Sequence, residues 1–244
     1  ESRINTKRYP YRAKEKELGL LAKAKLKEWL VGEITIKSYG VDKYGRILGD
    51  VFCEKGYFDL KDTDRILTAA KRYGLLPKIH VNQFNAFGGI ALGVKHKALS
   101  VDHLEELSES DIEALKHSQT MPVALPGCSF FLGIPYTPSR KLMDADLPLA
   151  LATDFNPGSA PSGNMNFIVS LACIKMKMTP EEALNASTLN GAYAMGISDD
   201  YGSITVGKKA NLILTKPMEN YAEIPYAFGN NPVYKTVLNG RILN

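Results

Sequence analysis

Cysteine, histidine and tryptophan are scarce in this chain, with three, four and one among 244 residues. The cysteines, Cys53, Cys128 and Cys173, are odd in number, widely spaced and set in apolar surroundings. That excludes a disulfide framework and points to reduced, mostly buried thiols in a cytoplasmic protein. No apolar run is long enough to span a bilayer and no signal-peptide pattern is present, so no membrane partner is expected. Charge of one sign is nowhere concentrated: the net charge is +4 and lysines interleave with glutamates, as in Lys14-Glu-Lys-Glu17. A nucleic-acid reader calls for a basic stripe, so nucleic acid is excluded as a partner.

What is present is the composition of an ordinary globular protein, 45% hydrophobic and 23% charged. Short apolar runs fall at Glu33–Tyr39, Gly49–Cys53, Pro77–Val81, Ala98–Val101, Met121–Leu125 and Leu147–Ala152. Helical spacing predicts helices over Thr63–Tyr73, Gly88–His96, Glu109–His117 and Ser139–Ala145 between them, and over Thr179–Met195 behind a capping box with Pro180 at its first position. This βα alternation predicts an α/β fold, a parallel sheet or barrel with helices outside. After Gly196 the pattern changes to short strands at Gly202–Gly207 and Ala210–Thr215 and a hairpin around Asn239-Gly240. We therefore expect a barrel over residues 1–198 and a small β-sandwich appendage over 199–244.

One junction fails on physical grounds. Strands Ile34–Tyr39 and Asp50–Cys53 are separated by about ten residues without a helical pattern, too few for a parallel crossover. Either the two do not pair as parallel neighbours or chain is missing between them. Six strands are counted where a closed (β/α)₈ barrel has eight.

In such barrels the chemistry sits at the C-terminal strand ends. The strand ends here carry Tyr39, Glu54, His80 with Gln83, His103, Pro126-Gly127 and Asp154. Imidazole and carboxylate together suit zinc or ferrous iron, and an open metal position activates water for amide or imine hydrolysis. The bland readings are a hydrogen-bonded structural histidine at His80 or His103 and a turn cap at Asp154. His96 and His117 lie on helices among lysines and read as surface residues.

The segments His80-Val-Asn-Gln83, Val101-Asp-His103-Leu, Leu125-Pro-Gly-Cys-Ser-Phe-Phe131, Ala152-Thr-Asp-Phe-Asn-Pro-Gly-Ser159, Met178-Thr-Pro-Glu-Glu-Ala183 and Ile224-Pro-Tyr-Ala-Phe-Gly229 resemble imidazolonepropionase. This is the TIM-barrel amidohydrolase family of histidine breakdown, which opens the ring of 4-imidazolone-5-propanoate to give N-formimidoyl-L-glutamate. The match runs nearly continuously from Asp50 to Asn244. The resemblance makes His80 and Asp154 ligands of one divalent metal, zinc or iron, and sets His103 close to the activated water or the substrate carbonyl. It turns Gln83 toward the substrate ring and lines the substrate with Asn156, Gly158 and Ser159. It matches Tyr39 to a substrate tyrosine, though the family has a glycine between Ser38 and that tyrosine, and Arg3 to a clamp on the propanoate carboxylate. A homodimer follows by resemblance and base rate.

The family's His-x-His pair at the end of strand one and its strand-three segment are absent from these residues, the second at the junction that fails above. The resemblance therefore describes a barrel lacking strands one and three. In the mechanism it implies, water attacks the cyclic amide while His103 stabilises the oxyanion. Gln83 does not titrate and cannot be the base; the resemblance implies Asp154 as the catalytic proton carrier. The alternatives are another cyclic amidohydrolase or deaminase on the same barrel, or an inactive fragment.

Overall fold

A computed structural model describes residues 48–243. Arg3, Tyr39 and the strand expected at Glu33–Tyr39 lie outside the described residues. Within them, β1 (Leu48–Cys53), β2 (Leu76–Val81), β3 (Ser100–His103), β4 (Met121–Ala124) and β5 (Ala150–Leu151) form a parallel sheet in sequential order. Every strand pairs with its chain neighbour, as in an arc of a (β/α) barrel.

Helices α1 (Leu60–Arg72), α2 (Gly89–Lys95) and α3 (Glu109–Lys116) link the first four strands. Local signals start two of them. The Asp59 carboxylate accepts from the Asp62 amide at the head of α1, and Ser108 and Asp111 form a reciprocal capping box on α3. Helix α2 lies close on the sheet because Gly89 and Gly93 share its inner face. A Cβ on Gly93 would stand 2.8 Å from Val101 Cγ1 and 3.3 Å from Ile79 Cδ1. Ile79, Val81, Val101 and Leu115 are buried here and carry the core between sheet and helices.

After β4 come α4 (Pro126–Leu132) and α5 (Ser139–Met143). After β5 come α6 (Met165–Met176), α7 (Pro180–Ser187) and α8 (Leu189–Ala194). The single helix expected over Thr179–Met195 is in fact two, broken at Thr188 (φ −118°, ψ −79°). The Ser187 and Thr188 hydroxyls both donate back to the Leu184 carbonyl, drawing off an acceptor the helix would use.

The C-terminal segment forms an antiparallel sheet of β6 (Leu212–Thr215), β7 (Val233–Leu238) and β8 (Arg241–Leu243), with a one-turn helix α9 (Glu223–Tyr226) packed on α6. The described residues supply this one sheet of the expected sandwich. The strand expected at Gly202–Gly207 is instead a loop. Gly202 and Gly207 both have positive φ, the Ser203 and Thr205 hydroxyls bond each other, and Ile204 and Val206 stand exposed with no partner strand among the described residues. Among the described residues no helix is long and apolar enough to cross a membrane.

Candidate active site

The C-terminal ends of the five parallel strands bring together His80, Gln83, His103, Cys128 and Asp154, with Glu54 bonded to the Gln83 amide and Glu105 beside His103. The His80 ring stacks on Phe52 of β1 at 4.2 Å and meets the His103 ring at 4.1 Å, tilted by 55°. That second contact needs explaining. The register pairs His80 with Asp102, so those two share a face and His103 belongs by alternation to the other. His103 instead has φ +94° and Leu104 φ +66°. The left-handed backbone at the strand end turns the imidazole back toward His80. Such a conformation costs a non-glycine residue about 1–3 kcal/mol and persists only where neighbours enforce it. Thr137 does so: its Oγ1 donates to the His103 carbonyl at 2.6 Å.

Under His80 the same face carries a polar layer. Asp102 accepts from Ser100 Oγ at 2.6 Å and lies 3.5 Å from Lys78 Nζ. His80 itself is 6% exposed. Burial, reinforced by the neighbouring His103 imidazole, holds its pKa down at about 3. The imidazole is therefore neutral at physiological pH, the form that ligates a metal.

Gln83 is fixed from two directions. Its backbone N–H donates to Glu54 Oε2 at 2.8 Å, and its Nε2 donates to Cys128 Sγ at 3.3 Å. Glu54, 1% exposed, also accepts from the Phe84 amide, so this one carboxylate shapes the turn after β2. Burial pushes the Cys128 thiol up to about 12, so it is a packing and hydrogen-bonding group and not a thiolate nucleophile.

Asp154 follows the end of β5 with φ +51°. Burial raises its pKa above the ordinary carboxylate value, opposed by the neighbouring His103 and by hydrogen bonds from Cys128 and Asn156. The following turn is closed by Asn156. Its Oδ1 accepts from the amides of Gly158 (2.9 Å) and Ser159 (2.8 Å), and its Nδ2 donates to the Asp154 carbonyl (2.6 Å). The Asn156 amide is thus committed within the turn, and Phe155 stands 70% exposed beside it.

Glu105, Ser129 and Thr137 surround His103, and sequence reasoning misses all three. The available signal is the position of Glu105, two residues past His103; nothing in the sequence couples Ser129 or Thr137 to it. A separate cavity of about 450 Å³, beside Leu115, Met121, Pro148 and Tyr193, opens at the opposite end of the strands, away from these groups.

Imidazole nitrogen and carboxylate oxygen are donors that zinc and ferrous iron accept. Neutral His80 and the half-buried Asp154 fit such a metal as part of a ligand set. Among the described residues, no group of three or more His, Cys, Asp or Glu side chains is placed to hold one alone.

The model of the amidohydrolase family matches residues 63–243, most of the chain. The chain belongs to the amidohydrolase family. Curated relatives of this amidohydrolase named imidazolonepropionase, from Christiangramia forsetii and Flavobacterium johnsoniae, are each 66% identical to it over 194 residues, 80% of this chain and 47% of theirs. One from Alkaliphilus metalliredigens is 43% identical over 196 residues, 80% of this chain and 46% of its own. These names bear out the resemblance read from the sequence. The chain spans about half the length of the curated relatives it matches. Two solved structures share its fold. An adenosine deaminase from Xanthomonas campestris with bound zinc has a TM-score of 0.66 at 20% identity, covering 81% of this chain and 51% of that one. An atrazine chlorohydrolase variant from Arthrobacter aurescens, complexed with zinc and atraton, has a TM-score of 0.69 at 17% identity, covering 85% and 52%.

Proposed function

We propose that the protein to which these residues belong is a metal-dependent hydrolase. In this reading it opens the cyclic amide of 4-imidazolone-5-propanoate to N-formimidoyl-L-glutamate, in histidine degradation. The observation that carries the reading is the convergence of His80, His103 and Asp154 at the strand ends, in a chain 66% identical to relatives named imidazolonepropionase. A zinc or iron ion is the group we assign, with His80 and Asp154 among its ligands. When bound, it supplies the Lewis acidity that lowers the pKa of a water and polarises the ring carbonyl.

The chain's own residues do the rest. Asp154 takes the proton released by the attacking water on a carboxylate oxygen and delivers it to the departing ring nitrogen. The His103 imidazole stands beside the attacking water and the carbonyl, where its Nε2 accepts a hydrogen bond from that water and orients it for attack. The Gln83 amide hydrogen-bonds the ring edge without titrating. The Asn156 turn presents Gly158 and Ser159 to the substrate, while Arg3 and Tyr39 take its carboxylate and ring from outside the described residues. We further propose a cytoplasmic homodimer, and a division of the chain into the hydrolase barrel, 1–198, and a small β domain, 199–244.

The test is turnover of 4-imidazolone-5-propanoate by the full-length protein, set beside hydantoin and cytosine. Turnover of the imidazolone alone supports the reading. Turnover of cytosine or hydantoin in its place redirects it to another amidohydrolase of the same barrel.

A further inference from the structure

His103 is held at both ends by buried polar groups. Its carbonyl accepts from Thr137 Oγ1, and its ring Nδ1 lies 3.4 Å from Glu105 Oε1. The same Oε1 accepts from Ser129 Oγ at 2.9 Å. Glu105, Ser129 and Thr137 are 6%, 1% and 3% exposed, so this network is shielded from water. Glu105 Oε2 is buried with no hydrogen-bond partner among the described residues. A buried carboxylate with one oxygen unpaired is costly, and a sequence concerned only with stability would do better with an apolar residue.

We propose that Glu105, braced by Ser129, is a positioning residue for His103. Its carboxylate holds Nδ1–H of the ring, leaving Nε2, on the opposite edge, as the nitrogen that accepts from the attacking water. The residue that braces Glu105 and the one that anchors the His103 backbone, Ser129 on α4 and Thr137 just before α5, both come from the segment after β4. That segment is a clamp on one histidine. A carboxylate or carbonyl on the far nitrogen of a working imidazole sets its tautomer and orientation, and its loss costs about 10- to 100-fold in activity. The catalytic part of the inference rests on the hydrolase reading above; the tautomer does not.

The experiment is ¹⁵N NMR of the His103 ring in the metal-replete full-length protein and in Glu105→Gln, Glu105→Leu and Ser129→Ala, with kcat and KM for 4-imidazolone-5-propanoate. The wild type should show the Nδ1–H tautomer. Glu105→Leu should shift it toward Nε2–H and lower kcat by about 10- to 100-fold, with KM within about twofold. Glu105→Gln retains an acceptor and should restore most of the tautomer and part of kcat. Ser129→Ala should fall between wild type and Glu105→Leu, and carries the test with Glu105→Gln if Glu105→Leu does not fold. An Nε2–H tautomer in the wild type, or an unchanged tautomer in the variants, overturns the proposal. If the wild type shows the expected tautomer shifts without turning over the imidazolone, the positioning role stands and the hydrolase reading fails.

Discussion

The His80 and His103 rings meet at 4.1 Å even though the strand register pairs His80 with Asp102. The contact exists because His103 adopts φ +94° at the last residue of β3, and that backbone is tied down by Thr137. A local departure from strand geometry, not the strand itself, therefore places the second imidazole in the site.

Removing the tie should loosen that geometry. Thr137→Val keeps the side-chain volume but strands the His103 carbonyl in the interior. Urea unfolding should show a loss of about 1–3 kcal/mol. Turnover should fall as well, since the strained backbone loses its anchor; unchanged stability and turnover would mean the αL turn holds itself.

Gly93 tests how α2 seats on the sheet. With 2.8 Å from the added Cβ to Val101 Cγ1, Gly93→Ala gains helix propensity but forces helix and strand apart. The net effect expected in thermal unfolding is a destabilisation of about 1–3 kcal/mol. A stabilised variant would show that the close approach is slack.

A pH dependence can be assigned away from the active site. The hydrogen bond from Lys95 to Asp64, and next that to His96, both at 2.8 Å, hold the Asp64 carboxyl below its ordinary value of 3.8. A depressed folded-state pKa means the contribution is complete above the unfolded value and is lost as pH falls through the folded one. Asp64→Asn should therefore melt below wild type near neutral pH. The gap should close as pH falls below the ordinary carboxylate range, and a gap independent of pH would contradict the assignment.

Asp154 carries the proton transfer in the proposed mechanism. Asp154→Asn preserves the turn, because Asn156 Nδ2 bonds the Asp154 backbone carbonyl. It should fold normally by circular dichroism yet lose turnover by a factor of about 10²–10⁴. Near-normal rates would remove Asp154 from the mechanism.

Much of the site is legible in the sequence. His80, His103 and Asp154 each close an apolar run, so strand periodicity alone brings them to one end of a sheet. Other features leave no one-dimensional trace. Helix α6 is buried on nearly every side, through Ile168, Val169, Leu171 and Ala172, so it shows no amphipathic period to find. Helix α4 opens on Pro126-Gly127 directly from a strand and reads as a turn. The face reversal at His103 depends on a single dihedral, and the Glu105–Ser129 contact spans 24 residues. Gly202–Gly207 fails in the other direction: its alternation is real, but no strand among the described residues lies beside it to pair with.

The most direct measurement is product formation from 4-imidazolone-5-propanoate by the full-length protein, before and after chelation and after readdition of zinc or iron. The account predicts N-formimidoyl-L-glutamate from the metal-loaded protein, loss of turnover on chelation, and recovery with metal. No product from a folded, metal-loaded protein, or turnover untouched by complete metal removal, would contradict it.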